Sequence, residues 1–580
     1  MIQSASTPSS SGSPAPASRP NTGSDPSHLS RGVRETIEAI AIAFALAFLF
    51  KTFEAEAFVI PTGSMAPTLM GRHKDVVCTK CGYRYSASAS EEADRNGVVK
   101  ADIGSQVISC TCPICRFPMN VDPIEPEGRA NPSYSGDRIW VSKVPYHFME
   151  PRRWDVIVFR YPEEAETYYI KRLVGLPGET VKILHGDIYT KGPGDKDFVI
   201  QHKPPDKIRA MAQIVHDNDY VSEELLKYNW PLRWQPWSKQ DSPGDWEPSD
   251  DTRSYHTDGS AAGDSWMRYQ HIVPPLANWR DAAWTPAREP AAELITDFYA
   301  FNTRLTRDRP YPEANMLGLH WVGDLVVDCE LDVQGTSGAV LLDLVKGGRH
   351  FGCSIDVATG KAQLSIDGLS DWHPTAETSV RAPGKYRLMF ANVDEQLLVW
   401  VDDKVVAFDI PTTYPHLKND RPAANEDLAP LGIGSRGAAL TVRHLRVLRD
   451  IYYIAKTTPY GNQISDYHHS NHMIPWENPA RFAEFLATPS EWENPRDGNV
   501  FDRRQAVTFE LGADQFFVLG DNSPASSDAR LWSTQHFVER NLLVGKALLV
   551  YWPHPLDLPI PFTNKSIGVL PNIPDMGLIR

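Results

Sequence analysis

Hydrophobic and polar positions divide the chain into stretches of very different texture. Residues 1–30 are rich in Ser, Pro, Thr and Ala and hold almost no large apolar side chains. They bury too little to offset the entropy of ordering, and they read as a disordered tail. An apolar run follows, uncharged from Ala39 to Phe50 and extending from Ile37 to Phe53 when Glu38 and Lys51 sit near its ends. Such a run reaches the lower limit of about 17 residues for crossing the hydrocarbon, with Lys51 snorkelling to the interface. The reading is an uncleaved anchor over 35–53, its N-terminus held in the cytoplasm by Arg31 and Arg34. A signal peptide competes with it, with the same arginines as basic region and Ala55-Glu56-Ala57 as a small-x-small cleavage site.

Beyond the anchor the pattern is that of strands. Trp154–Tyr161 and Tyr168–Leu173 read as two strands broken at Pro162, with a turn at Pro177-Gly178. Gln515–Leu519 is a strand running into a polar loop at Gly520-Asp521-Asn522. From Leu317 to about Leu448 short β runs recur, among them Leu325-Val326-Val327, Tyr386–Phe390 and Leu397–Val401, the last turning at Asp402-Asp403 into Val405–Phe408. That spacing fits a β-sandwich. Residues 195–290 read as irregular, with Trp230, Trp234, Trp237, Trp246, Trp266, Trp279 and Trp284 set among Pro, Asp and Ser, and are expected to pack onto a neighbouring sheet.

A length of 580 residues allows three or four domains, and 42% hydrophobic content supplies core material for them. The net charge of −15, with no clustered Lys and Arg, argues against nucleic acid as a partner.

Candidate chemistry begins at Pro61-Thr62-Gly63-Ser64-Met65-Ala66-Pro67-Thr68-Leu69, where prolines stiffen both ends of a loop and Gly63 frees its backbone. Such a turn can present the Ser64 hydroxyl. On the strand through 168–173, Lys171 shares a face with Tyr169 and Leu173. An ammonium on an apolar face is desolvated, which favours the neutral amine of a general base, a role closed to the always-charged Arg172. The loop after Gly520 offers hydroxyls together with Asp528 and Arg530, groups able to hold a lysine and form a supporting ion pair.

Four stretches in order give the chain a family resemblance: Phe58–Thr68 after the anchor, Gly136-Asp137-Arg138-Ile139, Tyr169–Gly178, and Gly520-Asp521-Asn522 through Arg530. Together they resemble bacterial type I signal peptidases, membrane-anchored Ser/Lys proteases that remove signal peptides from exported proteins. The resemblance implies Ser64 as nucleophile and Lys171 as general base. It further implies an oxyanion hole from the Thr62 hydroxyl and the Ser64 amide, Ser526 as the group orienting the lysine, and Asp528 with Arg530 as a supporting pair. Ser523, Pro524 and Ala525 depart from the commoner Arg-Asp-Asn of that family. The implied acyl transfer needs no cofactor, and the implied setting is the bacterial inner membrane with the catalytic domain on the outer side. Preprotein signal peptides, the lipid bilayer and the export machinery are the implied partners.

Two insertions separate these stretches. Cys78-x-x-Cys81 and Cys112-x-x-Cys115 suggest a zinc ribbon, four thiolates held around one structural zinc, with Cys110 in surplus and disulfides as the competing reading. The strands of 301–455 are similar to laminin-G or concanavalin-like jelly rolls in spacing and in the Val399-Trp400-Val401-Asp402-Asp403 hairpin. A glycan or protein ligand, or a spacer role, is expected there, and Cys329 and Cys353 are either bonded or free and buried. The expected fold is mainly β, a split signal-peptidase β-fold core with both insertions. In chain order it comprises a tail (1–30), an anchor (35–53), a first core segment with the nucleophile (54–77), the ribbon-like insertion (78–119) and a second core segment with the lysine (134–195). An irregular Trp-rich segment (196–300), a sandwich (301–455) and a third core segment (456–580) complete the chain. The alternative function is a catalytically inactive, membrane-anchored binding protein that uses the sandwich for recognition.

Overall fold

Strands from three distant regions of the chain meet around the candidate hydroxyl and amine. In the computed structural model, which describes residues 36–44, 55–94, 97–237, 245–281, 290–311, 318–415, 422–455, 465–466, 484–491, 504–559 and 566–580, the protein is mainly β. One sheet is ordered Ala55–Val59, Arg138–Ser142, Leu543–Trp552, Val156–Tyr161, Glu164–Gly175, Gln515–Leu519, Val538–Glu539. Pro162, which has no N–H for a ladder, falls in the turn between the fourth and fifth of these, and the two pair with Ile157 opposite Lys171. One face buries Ile157, Phe159, Leu173, Phe517 and Leu519. The other packs Ile139, Val156 and Val158 against Ile60, Met65 and Leu69, and so seats the Ser64 loop.

Residues 36–44 are helical. The rest of the expected anchor 35–53 and the whole tail 1–30 lie outside the described residues, among which no helix is long and apolar enough to cross a membrane.

The large insertion leaves and re-enters through one small sheet, ordered Val199–Ile200, Asp187–Lys191, Thr180–Leu184, Val507–Glu510. Between these points two further sheets face one another across a single core that includes Trp234, Tyr255, Leu331, Leu342, Phe390 and Ile433. The segment 196–300, expected to be irregular, instead contributes strands to both. Gln213–Asp217 and Tyr255–Thr257 pair with Leu440–Arg449 in one sheet, and Trp234–Trp237 and Asp264–Tyr269 extend the other beside Leu431–Arg436. These strands are short and separated by Pro, Asp and Ser turns, so they show no sustained alternation. Burial of Trp234 and Trp246 within the sandwich core is what orders them. Cys329 and Cys353 are both free and buried in that core.

Candidate functional site

The loop carrying Ser64 is tied at its neck. Ile60 N donates to Asp137 O (2.9 Å), Asp137 N donates to Met70 O (2.9 Å), and Met70 N donates to an Asp137 carboxylate oxygen (2.7 Å). Gly136 lies so close beneath that a Cβ there would stand 2.0 Å from Ile60 O. The Gly136-Asp137 pair therefore closes the loop, and between its ends Gly63–Met65 form one buried 3₁₀ turn.

Lys171 Nζ donates to Ser64 Oγ at 2.8 Å and to Ile170 O at 3.0 Å. The side chain is only 4% exposed. Burial pushes its pKa down to about 8, against the opposing pull of the Asp528 and Asp521 carboxylates and with a smaller contribution from the Arg530 charge. An amine so placed is neutral over an accessible pH range while touching a hydroxyl, the requirement for activating a serine.

The loop after Gln515–Leu519 holds the turn from behind. Asn522 N donates to Ser64 O (3.1 Å) and Asn522 Nδ2 donates to Gly63 O (3.0 Å). Asp528 and Arg530 form a fully buried two-pronged pair at 2.8 and 2.7 Å, and Asp528 also accepts from Gly520 N. Ser523, where the sequence departs from the commoner family pattern, accepts from Arg530 Nη1 (2.9 Å) and from Ile454 N (3.0 Å), linking the loop to the chain returning from the insertion. Ser526 differs from expectation: its buried hydroxyl makes no hydrogen bond, so it does not hold Lys171 in this structure. It does lie near the site, since a Cβ on Gly520 would stand 2.1 Å from Ser526 Oγ and 2.5 Å from Ser64 O. Thr62 is exposed at the start of the turn, with an extended backbone and no capping bond from its side chain.

Sequence reasoning missed two sets of residues. Arg172, next to the lysine, pairs with Asp521 through Nε–Oδ1 (2.7 Å) and Nη2–Oδ2 (2.6 Å), both side chains being 0% exposed. Thr68 of the serine loop donates to the same carboxylate, so this pair joins all three segments. Its signal was present, because alternation along the strand puts Arg172 on the opposite face from Lys171, where a fixed charge needs a partner. The second set had no signal. Phe301 and Asn302, inside the insertion, reach the serine loop: Asn302 and Asn522 exchange amide hydrogen bonds at 2.7 and 2.8 Å, and a Cβ on Gly63 would stand 2.2 Å from the Phe301 ring. Asn302→Ala leaves the buried Asn522 amide short of a partner, a loss of about 1–3 kcal/mol. The expected result is a lower thermal midpoint, read by calorimetry.

The two Cys-x-x-Cys turns cap two hairpins and converge. Cys78–Cys81 joins His73–Val77 to Arg84–Ser88, and Cys112–Cys115 joins Val107–Thr111 to Pro118–Asn120. Each turn closes alike, with Gly82 N donating to Cys78 O and Arg116 N to Cys112 O. Cys78 and Cys115 sulfurs are 3.5 Å apart, Cys81 and Cys112 sulfurs 3.6 Å, and all four lie within 4.8 Å of one another. A disulfide needs about 2 Å. Sulfurs bound to a tetrahedral zinc sit roughly 3.8 Å apart, so the donor set fits that ion. Burial pushes the Cys112 thiol up, with the neighbouring sulfurs adding to it, a penalty that a bound cation removes. The surplus Cys110 contacts the Tyr85 hydroxyl instead.

A hydroxyl, a depressed-pKa lysine and a buried polar loop behind them define a serine–lysine arrangement on a β scaffold. Comparison with known proteins points the same way. The model of the family described as signal peptidase, peptidase S26, matches residues 114–229 and 461–552, which include Lys171 and Ser526 but not Ser64. Signal peptidase I of Leptolyngbya laminosa is 38% identical over 103 residues, 15% of this chain and 50% of the relative. Signal peptidase I of Rickettsia bellii is 26% identical over 191 residues, 33% of this chain and 45% of the relative. The chain thus spans about half the length of these curated relatives, to which it is similar over these stretches. Among solved structures, the carbohydrate binding module CBM66 from Bacillus subtilis matches 38% of this chain and 94% of its own at 10% identity, with a TM-score of 0.19 that defines neither fold nor ligand.

Proposed function

We propose that the protein is a membrane-anchored signal peptidase I that cleaves N-terminal signal peptides from exported preproteins with a Ser64/Lys171 dyad. The observation carrying this reading is the 2.8 Å contact between Lys171 Nζ and Ser64 Oγ, made by residues far apart in the chain. Neutral Lys171 takes the Ser64 proton as the oxygen attacks the scissile carbonyl. The amine then passes that proton to the leaving amino group, and a water activated by the same lysine releases the acyl group. The Ser64 amide and the Thr62 hydroxyl are assigned to the oxyanion. Asn522, Asp521 and the Asp528–Arg530 pair fix the positions of turn and loop. The reaction needs no cofactor, and a structural zinc is assigned to Cys78, Cys81, Cys112 and Cys115. The anchor over 35–53 places the reaction at the bacterial inner membrane, on its outer side.

Incubation of the purified chain with a preprotein tests the reading, the products being sequenced from their N-termini. No cleavage after a signal peptide by the wild type would sink it. The pH dependence supplies a second check. Only the neutral amine acts as base, so kcat/KM is expected to rise tenfold per pH unit below about 8 and level off above it, following the lowered Lys171 pKa. An acid limb near 10.5, the ordinary lysine value, would mean that Lys171 is not the titrating base.

A further inference from the structure

Behind the serine loop lies a cluster of side chains that the peptidase reaction does not use. Two residues on from Gly71, whose Cβ position would fall 2.1 Å from the Thr62 carbonyl carbon, the strand His73–Val77 turns His73 and Asp75 toward His554. His73 is 2% exposed and His554 6%. His554 Nε2 lies 3.0 Å from one Asp75 oxygen and His73 Nε2 lies 3.6 Å from the other. The two imidazole rings meet edge to face, with centroids 5.2 Å apart. One ligand atom from each of the three side chains can be chosen so that all lie within 4.8 Å of one another.

The protons settle what this cluster suits. His73 Nδ1 is 2.7 Å from Gly71 O, and a carbonyl only accepts, so Nδ1 carries the hydrogen. With Nδ1 bonded to the backbone, Nε2 is the nitrogen left to ligate, and it faces a carboxylate oxygen at 3.6 Å. A cation between them would coordinate both. The Nδ1 bond to a backbone carbonyl is also the outer-shell contact that metal-ligating histidines make. Two nitrogen or oxygen ligands of a tetrahedral zinc sit roughly 3.3 Å apart, between the 3.0 and 3.6 Å found here. Ser86 Oγ (2.9 Å) and the exposed Arg84 (3.2 Å) hold the Asp75 carboxylate from outside, leaving the imidazoles on its inner side.

We propose that His73, Asp75 and His554 bind a second divalent metal of the zinc class, a clasp that joins the hairpin leaving the serine loop to the chain beyond Leu543–Trp552. Two imidazoles and a carboxylate suit zinc, and a water completes the coordination. Binding replaces the proton between His554 and Asp75 with the ion. The clasp lies outside the hydroxyl–amine pair, so its role is to brace the strand that follows the serine loop.

The test is zinc content and zinc-edge X-ray absorption on the full-length chain equilibrated with zinc. Wild type is expected to hold about two ions per chain, with both sulfur and nitrogen/oxygen shells. His73→Ala and His554→Ala are each expected to fall to about one ion with sulfur ligands only, and Cys78→Ser to about one with nitrogen/oxygen ligands only. A wild-type spectrum with sulfur alone, or an undiminished zinc count in both histidine variants, overturns the proposal. The wild-type spectrum decides the matter even where a variant does not fold. Failure of the four-cysteine assignment is separately visible as a nitrogen/oxygen shell without sulfur.

Discussion

Ser64→Ala and Lys171→Met are each expected to lower the rate of preprotein cleavage by about 10⁴-fold or more, and the double variant is expected to be no slower than either. In the proposed reaction the two groups act as one unit: the hydroxyl attacks only as the amine takes its proton, and without the hydroxyl the amine has no acyl group to release. Lys171→Arg is expected to be as inactive as Lys171→Met, because a guanidinium stays charged and cannot serve as a base. Folding is a separate matter. Ser64→Ala removes one oxygen from a turn held by its backbone, through Asn522 and the Asp137 neck, so its thermal midpoint is expected to match the wild type. Cleavage at the wild-type rate by either single variant would refute the dyad.

The largest stability effect is expected at Asp521. Its carboxylate and the Arg172 guanidinium are both 0% exposed and joined by two hydrogen bonds, so Asp521→Ala strands a buried cation. Breaking such a pair from one side destabilises by about 3–5 kcal/mol. The same change also removes the acceptor of the Thr68 hydroxyl in the serine loop, leaving it only its bond from Arg172, so cleavage is expected to fall together with the thermal midpoint. Replacing both partners with apolar side chains of similar volume is expected to recover much of the stability and little of the activity. A double variant no more stable than Asp521→Ala would show that the pair contributes more than mutual neutralisation.

Much of the site was legible because it depends on local pattern. The proline-framed turn, the strand alternation around Lys171 and the spacing of Asp528 and Arg530 each reflect a requirement of the backbone nearby. The four-cysteine cluster was legible for the same reason, each pair being a single turn. Ser526 was misjudged because a family resemblance supplies a role without supplying a rotamer, and here the hydroxyl makes no bond to the lysine. The strands of 213–269 were unreadable because tertiary pairing, and not their own periodicity, orders them. Gly136-Asp137 was visible as a motif, but its job as the neck of the serine loop emerged only from distances. Phe301 and Asn302 left no trace at all, since nothing in an insertion's sequence announces a contact with Gly63 and Asn522.

The long separation between Lys171 and the loop that buries it has a consequence in time. A ribosome adding about 5–20 residues per second needs roughly 20–70 s to pass from Lys171 to Ser526. Until then Asp521, Asn522 and Arg530 are not on the growing chain, so Arg172 lacks its bidentate carboxylate and the Ser64 turn lacks its bonds to Asn522. The whole sandwich is made inside that interval, including the Asn302 that Asn522 will meet. Synthesis therefore delivers the last structural support of the hydroxyl–amine pair after the insertion, and the nascent chain stays incompetent through most of its own production.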